Sequence, residues 1–500
     1  MPLPQYTIEA MHERIADDRE AMTKSLPDAD VANVVKRYRD YAVGKQRNTV
    51  SPGTEQFLAG LSDPRVILFS DNVTDQVIAD NADRLELLRF DVEDDPDNPK
   101  KQAEKEFLRR QVWIENNLDS LQRDTHRSAI RDGNFYLLAS WHPTRQRILI
   151  QKELAWNGES GMFLAYDDDD LPLYAVKEWK TVIDRNSVQR RVIYYEDRIE
   201  RYISEGGEWK PYQTATLPSE ELWQKRDGSP LHIPVIHFPN ADKEIGNYGA
   251  SAVSGGFLGN QDSLNDKRYD IDVAARMTAF QMYTASNYVP NRDSTGQEIP
   301  LTIGPGAFLT SLAPDDPSLP PLNTQFGVLP AGDIKQLSDA YMLVLRAMCR
   351  MTRTPLHAIT GDWPSGEALL RAEQPAINKA NAQRAKFASC WATVAHRCVE
   401  IANTFGDVKL DEKALITAVF NDVSQLGELQ ASLADQAFWE GANKAISATY
   451  PLELYLRDHD WPIEKINSYL KARDAEEARQ RKEEVSRVEE IAQITDKAAV

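Results

Sequence analysis

The chain has 500 residues, a length that suggests roughly three domains, and its 42% hydrophobic share is ordinary for a globular protein and excludes wholesale disorder. Against 58 basic side chains stand 77 acidic ones, for a formal net charge of −19, so the chain lacks the lysine and arginine excess with which a protein grips nucleic acid by its phosphates. A wall that surrounds DNA without holding it stays compatible, because like charge discourages sticking. No apolar run approaches the ~18 residues that cross a bilayer. The opening MPLPQYTIEAMHERIADD offers neither a basic n-region nor an apolar core, so synthesis and residence in a cytoplasm, with no membrane partner, are expected.

Residues 1–130 read as mainly helical. DADVANVVKRYRDYAVG and DNVTDQVIADNADRLELLRF both carry apolar residues at helical spacing. A charged loop, Asp91 to Lys101, separates them from FLRRQVWIENNLDSLQRDTHRSAIRDG, a further helical pattern that Asp132-Gly133 should end. Beta structure follows. FYLLASW, RILIQ, MFLAY, LYAVKEW, RRVIYYEDRIERYI and IPVIHF are β-branched and aromatic segments separated by turn residues, which predicts an α+β domain to about Gly256.

The stretch from Gly259 to Phe405 organises the rest. A helix is expected from Gly259 to Ser286, with Leu264, Ile271, Ala275, Thr278 and Met282 on one stripe and Val273, Met277 and Phe280 broadening it. That double face suits a helix packed between neighbours, including other subunits. Eight prolines between Pro290 and Pro330 preclude a long helix there. The next helix runs from Asp333 to Arg353, with Ile334, Leu337, Tyr341, Val344, Met348 and Met351 on one face and Arg346, Arg350 and Arg353 suited to its carbonyl end. Thr354-Pro355 stops it. After LHAITGDWPSGEAL, Ser365 is placed to cap a fourth helix reaching Phe405, with Phe387, Trp391, Val394, Cys398 and Ile401 at the same spacing. VKLDEKALITAVFND holds a candidate returning strand, and Leu426 to Val500 is helical by pattern. The fold class is therefore α+β, mainly helical.

Chemistry is sparse. Gly361-Asp-Trp-Pro-Ser-Gly366 has the glycine spacing of a phosphate loop, but Glu367 and Ala368 stand where lysine and a hydroxyl are needed. The run Asp167–Asp170 could supply metal carboxylates, yet between two strands and before Leu-Pro it reads first as a solvated turn. His232 and His237 flank a strand as ordinary sheet residues do. Cys349, Cys390 and Cys398 all fall in predicted helices as small apolar side chains, with no zinc-ligand spacing. No catalytic constellation, metal site or cofactor is expected.

The order of these elements, with RYRDYAVG, DNVTDQVIADNADRLELLRF, VWIENNLDSLQRDTHRSAIRDGNFYLL, IPVIHFPN, GNQDSLNDKRYDID and above all the WPSGEALLRAEQPAINKANAQRAKFASCW block, resembles the portal proteins of tailed bacteriophages of the dodecameric ring type. The resemblance implies a wing over 1–256, a first stem helix over 257–286, a clip over 287–329, a second stem helix over 330–352 and a tunnel loop over 353–365. A long kinked helix with a return strand over 366–425 and a helical crown over 426–500 follow. Pro375 would make the kink. Leu356, His357, Ile359, Thr360, Asp362 and Trp363 become candidates to approach DNA, although Trp363 could equally anchor the loop in a pocket. Asn291, Arg292, Asp293, Gln297, Glu298, Asp315 and Asp316 become clip candidates for docking terminase or adaptors. The implied function is structural: a homo-oligomer, most simply of twelve subunits, at one vertex of the virion capsid, assembled in the host cytoplasm. Double-stranded DNA would pass through it, and the terminase large subunit, head-tail adaptors, major capsid and scaffolding proteins would be its partners. The alternatives are an oligomeric capsid or baseplate component without a channel, and a metal-dependent phosphohydrolase built on Asp167–Asp170. Under the resemblance, replacing His357, Thr360 and Asp362 together with alanine should spare folding.

Overall fold

A computed structural model describes residues 7–28, 33–46, 71–92, 99–183, 185–215, 217–240, 247–279, 283–287, 295–298, 323–328, 334–364 and 366–421, and, farther on, 438–442, 444, 452–458, 466, 469–471, 473–474, 478–479 and 481. The chain divides into two compact units, Met1–Val423 and Ser424–Val500.

The first unit opens with helices α1 (Ile8–Ser25), α2 (Val34–Ala42) and α3 (Val73–Asp83). Thr7 caps α1 by accepting from the Ala10 amide at 3.3 Å. The helical pattern of DNVTDQVIADNADRLELLRF does not persist to its end. The chain leaves α3 at Arg84 and runs as strand β1 (Leu87–Val92), antiparallel to β13 (Ile416–Phe420) far along the sequence. Long-range pairing overrides local spacing here, and β13 is the returning strand expected in LITAVF. The next predicted helix is likewise divided. Helix α4 (Pro99–Phe107) passes into a π-helical turn, Leu108–Ile114, and left-handed Asn117 (φ 50°) separates that turn from α5 (Leu118–Asp132). Gly133 then ends α5 as the turn signal predicts. Its φ is +86°, and a Cβ there would lie 2.8 Å from the Ser251 amide nitrogen, so only glycine fits.

Two antiparallel sheets follow. β2 (Asn134–His142) sits between β3 (Arg147–Leu154) and β10 (Val235–Pro239). A six-stranded sheet holds β4 (Gly161–Tyr166), β5 (Pro172–Ile183), β6 (Asn186–Tyr194), β7 (Arg198–Glu205) and β8 (Glu208–Pro211) in that order, with β9 (Glu220–Leu222) also on β7. The single segment RRVIYYEDRIERYI thus spans two strands, β6 and β7. Helix α1 closes over the larger sheet, burying Met11, Ile15 and Met22 with Phe163, Tyr174, Val176 and Ile193. Tyr174 donates to Asp18 at 2.5 Å and Arg19 to Glu178 at 3.1 Å, which fixes the helix there.

Helix α6 (Phe257–Ala279) is shorter than its pattern. It ends at Ala279, and Tyr283–Ser286 is strand β11, paired with β12 (Gln325–Val328) across the proline-rich excursion. Helix α7 (Ile334–Thr352) matches its prediction, and so does α9 (Gly366–Phe405), which carries Pro375 in its interior. The expected caps Asp333 and Ser365 lie outside the described residues. Helix α9 packs on β2, β10 and β13, and its predicted stripe of Phe387, Trp391, Val394, Cys398 and Ile401 is wholly buried. At the centre, Trp391 Nε1 donates to His126 Nε2 at 2.8 Å while His126 Nδ1 meets the Leu85 carbonyl at 2.9 Å. That pair of bonds places the imidazole proton on Nδ1. Near the helix end Glu400 meets His232 and Arg397 at 2.9 and 2.5 Å.

The second unit gathers Ala442, Leu452, Leu456 and Ile466, with Phe438, Trp439, Tyr455 and Tyr469 against them, around α10 (Leu452–Asp458). No helix among the described residues is long and apolar enough to cross a membrane.

Candidate functional site

The segment joining α7 to α9 is fixed locally at both ends. The Arg353 amide donates to the Arg350 carbonyl at 3.4 Å and the Thr354 amide to the Cys349 carbonyl at 3.0 Å, with Arg353 itself left-handed at φ 57°. Lys379, from α9, donates to the Thr352 carbonyl at 2.8 Å and so caps the end of α7. Burial, and then the nearby Arg353 guanidinium, bring the Lys379 ammonium down to about 8. Pro355 starts a single helical turn, α8 (Leu356–Thr360), and Gly361 closes it at φ +76° with its amide on the His357 carbonyl at 2.8 Å.

His357 is the inward-facing member of that turn, 4% exposed. Its Nε2 lies 2.6 Å from Glu373 Oε1, and Arg84 donates to Glu373 Oε2 at 2.8 Å while gripping Asp80 from Nη2 at 2.9 Å. The chain runs from the loop through α9 to α3, with the carboxylate two positions before Pro375. In the folded chain His357 is thus a buried hydrogen-bonding partner rather than an exposed loop side chain. The hydroxyl of Thr360 is spent on the Leu356 carbonyl at 3.2 Å. Leu356 and Ile359 are partly buried against the main core. Asp362 and Trp363 are exposed, Trp363 to 69%, with its ring centroid 4.9 Å from that of His357. Trp363 is therefore not sunk in a pocket of its own chain.

Removing one member of a buried charged pair leaves its partner desolvated and costs about 3–5 kcal/mol. Glu373→Ala should lower the urea unfolding free energy by about 3 kcal/mol on that reasoning; a loss below about 1 kcal/mol would mean that Arg84 and His357 do not depend on it. The alanine triple of His357, Thr360 and Asp362 is for the same reason expected to cost stability, whereas changes confined to Asp362 and Trp363 are not.

An open groove of about 1130 Å³ lies between this segment and α7, lined by Leu343, Arg346, Arg350, Arg353, Trp363 and Pro375 among others. Sequence spacing gave the three arginines only a helix-end role. Glu373, Arg84 and Lys379 carry no signal in the sequence, since each acts through a contact with a distant segment. Of the clip candidates, Gln297 and Glu298 are exposed, and Asn291, Arg292, Asp293, Asp315 and Asp316 lie outside the described residues. The acidic run is a turn: Asp167 accepts from the amides of Asp169 and Leu171 at 3.0 and 2.8 Å, and Asp170 from Asn247 at 2.8 Å. Among the described residues no three His, Cys, Asp or Glu side chains are grouped to hold a metal ion.

Helices α6 and α7 flank the β11–β12 strand pair, a short segment carrying Arg353 joins α7 to α9, and an α+β body precedes them all. The family profile described as phage portal protein, SPP1 Gp6-like, matches residues 86–425. The chain belongs to that portal protein family. No curated protein matches it. Among solved structures it is similar to a chain in the virion of a native gene transfer agent particle, at 12% identity over 83% of this chain and 99% of that one, with a TM-score of 0.37. It is also similar to chains from the neck of the native particle computed with C12 symmetry, at 11% identity, 82% and 97% coverage and a TM-score of 0.37. The neck of the empty particle computed with C6 symmetry gives 11%, 81%, 96% and 0.36.

Proposed function

We propose that this chain is the portal subunit of a tailed-phage-type particle, a closed ring of about twelve copies through which double-stranded DNA enters the capsid and later leaves. The observation that carries the reading is the family match across residues 86–425. In this assignment residues 1–256 are the wing and helices α6 and α7 the stem. The stretch 287–329 is then the clip, 353–365 the tunnel loop, α9 with β13 the long helix and its return, and 426–500 the crown. Terminase docks on the clip during packaging, with head-tail adaptors following, and capsid and scaffolding proteins surround the ring. The protein acts by shape and not by turnover. Its net charge of −19 keeps the duplex loosely held.

Native mass spectrometry and negative-stain images of the purified chain test this. A single large homo-oligomer with a central hole is expected, and a monomer at micromolar concentration across several salt conditions would sink the reading. Within the ring, Asp362 and Trp363 are the loop side chains free to meet DNA. Replacing both with alanine should leave assembly and stability within about 0.5 kcal/mol of wild type, as surface changes do, while reducing packaged or retained genome in complemented phage. Full-length genomes at wild-type yield would remove the loop from DNA handling.

A further inference from the structure

The outward face of α7 carries an unusual combination. Leu343 (65% exposed), Arg346 and Arg350 recur at steps of three and four, so they share one side of the helix, and Arg353 follows just past its end. All three arginines are exposed, and none makes an ion pair among the described residues, although the chain has a surplus of carboxylates. Arginines around a desolvatable aliphatic side chain match the composition of a protein-binding hot spot. A phosphate backbone would satisfy the arginines and leave Leu343 in water.

A complementary face lies on α6. Asp266 and Asp270 are exposed and four residues apart, hence on one side. Heights along the two helices follow from their contacts. Asn260 of α6 touches Met351 of α7 at 3.2 Å, and Arg268 and Tyr341 both reach Asp71, at 3.8 and 2.9 Å, so the helices run antiparallel. Counting equal rises from the Asn260–Met351 contact puts Asp266 level with Leu345, one residue from Arg346, and Asp270 about one turn farther, level with Tyr341. A rotation axis along the helices would preserve height and so bring the acidic face of one copy to the level of the basic face of the next.

We propose that the Leu343–Arg346–Arg350 face of α7 is the socket for α6 of the adjacent copy, with Arg346 facing the neighbour's Asp266 and Asp270. The contact is heterologous, and repeating it around an axis closes a ring. This rests on the ring reading above and adds to it which surfaces join, and by what chemistry.

The test is a charge swap on the full chain, read by native mass spectrometry and light scattering. R346E/R350E and, separately, D266K/D270K should each raise the concentration at which half the chain is assembled at least tenfold, and the four changes together should bring it back to within threefold of wild type. Circular dichroism checks folding of each variant, and R346Q/R350Q, which keeps length and removes charge, should weaken assembly in the same direction if a reversal fails to fold. Reversed variants that assemble like wild type, or a fourfold variant that is not rescued, overturn the socket and leave the ring intact. Rings of normal mass that lose only DNA retention assign these arginines to DNA and overturn it too. A wild-type chain that never assembles overturns the ring reading itself.

Discussion

Trp391→Ala is expected to cost about 4 kcal/mol or more, within the range for deleting a large buried aromatic, whereas Trp363→Ala should cost no more than about 0.5 kcal/mol. Both are tryptophans on or beside α9, and burial separates them. Trp391 has 0% of its surface exposed, and its ring meets Phe238 edge-on with centroids 5.1 Å apart. Its Nε1 is the donor to His126 Nε2 at 2.8 Å, so truncation opens a cavity and also strands a buried acceptor, which adds about 1–3 kcal/mol. Trp391→Phe separates the two effects: it restores most of the volume and keeps only the stranded acceptor. Urea titration of the three variants, with slopes compared to confirm that the unfolded state is unchanged, gives the answer. If Trp391→Ala and Trp363→Ala lose equal stability, the placement of α9 on β2 and β10 is wrong.

That contrast also marks where sequence reading succeeds. Trp391 sits on a stripe with Phe387, Val394, Cys398 and Ile401, and periodicity alone predicts that face as core, as found. Trp363 belongs to no period, so its exposure could not be read from spacing. The same limit explains β1. Leu87 and Leu88 continue the helical spacing of α3, yet pairing with β13, contributed from the other end of the unit, decides their backbone. At the site, Thr354-Pro355 was legible as a boundary because proline acts on its own residue and the one before it. The inward turn of His357 was not legible, because it depends on Glu373, Arg84 and Asp80, which come together only in the folded chain. Portal membership was visible earlier than any of this detail, since a long ordered series of weak segments survives when no single residue does.

Acid should destabilise the fold well above the pH at which carboxylates titrate. Three histidines are held neutral. Burial brings His126 down to about 4, burial and nearby Lys386 bring His237 to about 3, and burial with Arg191 brings His12 to about 3. The bonding agrees with neutrality: His237 Nε2 lies 2.8 Å from Asn134 Oδ1, and its Nδ1 lies 2.7 Å from the Tyr166 hydroxyl, leaving no place for a second proton without breaking a bond. In the unfolded chain each histidine takes up a proton near 6.5, and in the folded chain it does not until the lower value. Below about 6.5 the unfolded state therefore binds more protons, and stability is complete above that pH and declines as pH falls toward 4. His126 and His237, both wholly enclosed, each contribute a slope of about 1.4 kcal/mol per pH unit, or about 3 together; His12 adds in the same direction. Glu400 extends the loss to lower pH. Its burial alone would raise it, but His232 and Arg397 bring it to about 2, so its contribution is present above the ordinary carboxylate value of 4.5 and is lost as pH drops toward 2. Domains of ordinary stability hold about 5–15 kcal/mol, so the loss below pH 6 is a substantial share of the total. Urea midpoints taken at pH 7, 6 and 5 should fall progressively, with the steepest change below 6. His237→Gln, which cannot take the proton, should flatten the slope by about one third while lowering the plateau at pH 7 through its lost hydrogen bond. A wild-type midpoint that stays flat from pH 7 to 5 would show that these histidines are protonated in the folded chain and would overturn the neutral core described for them.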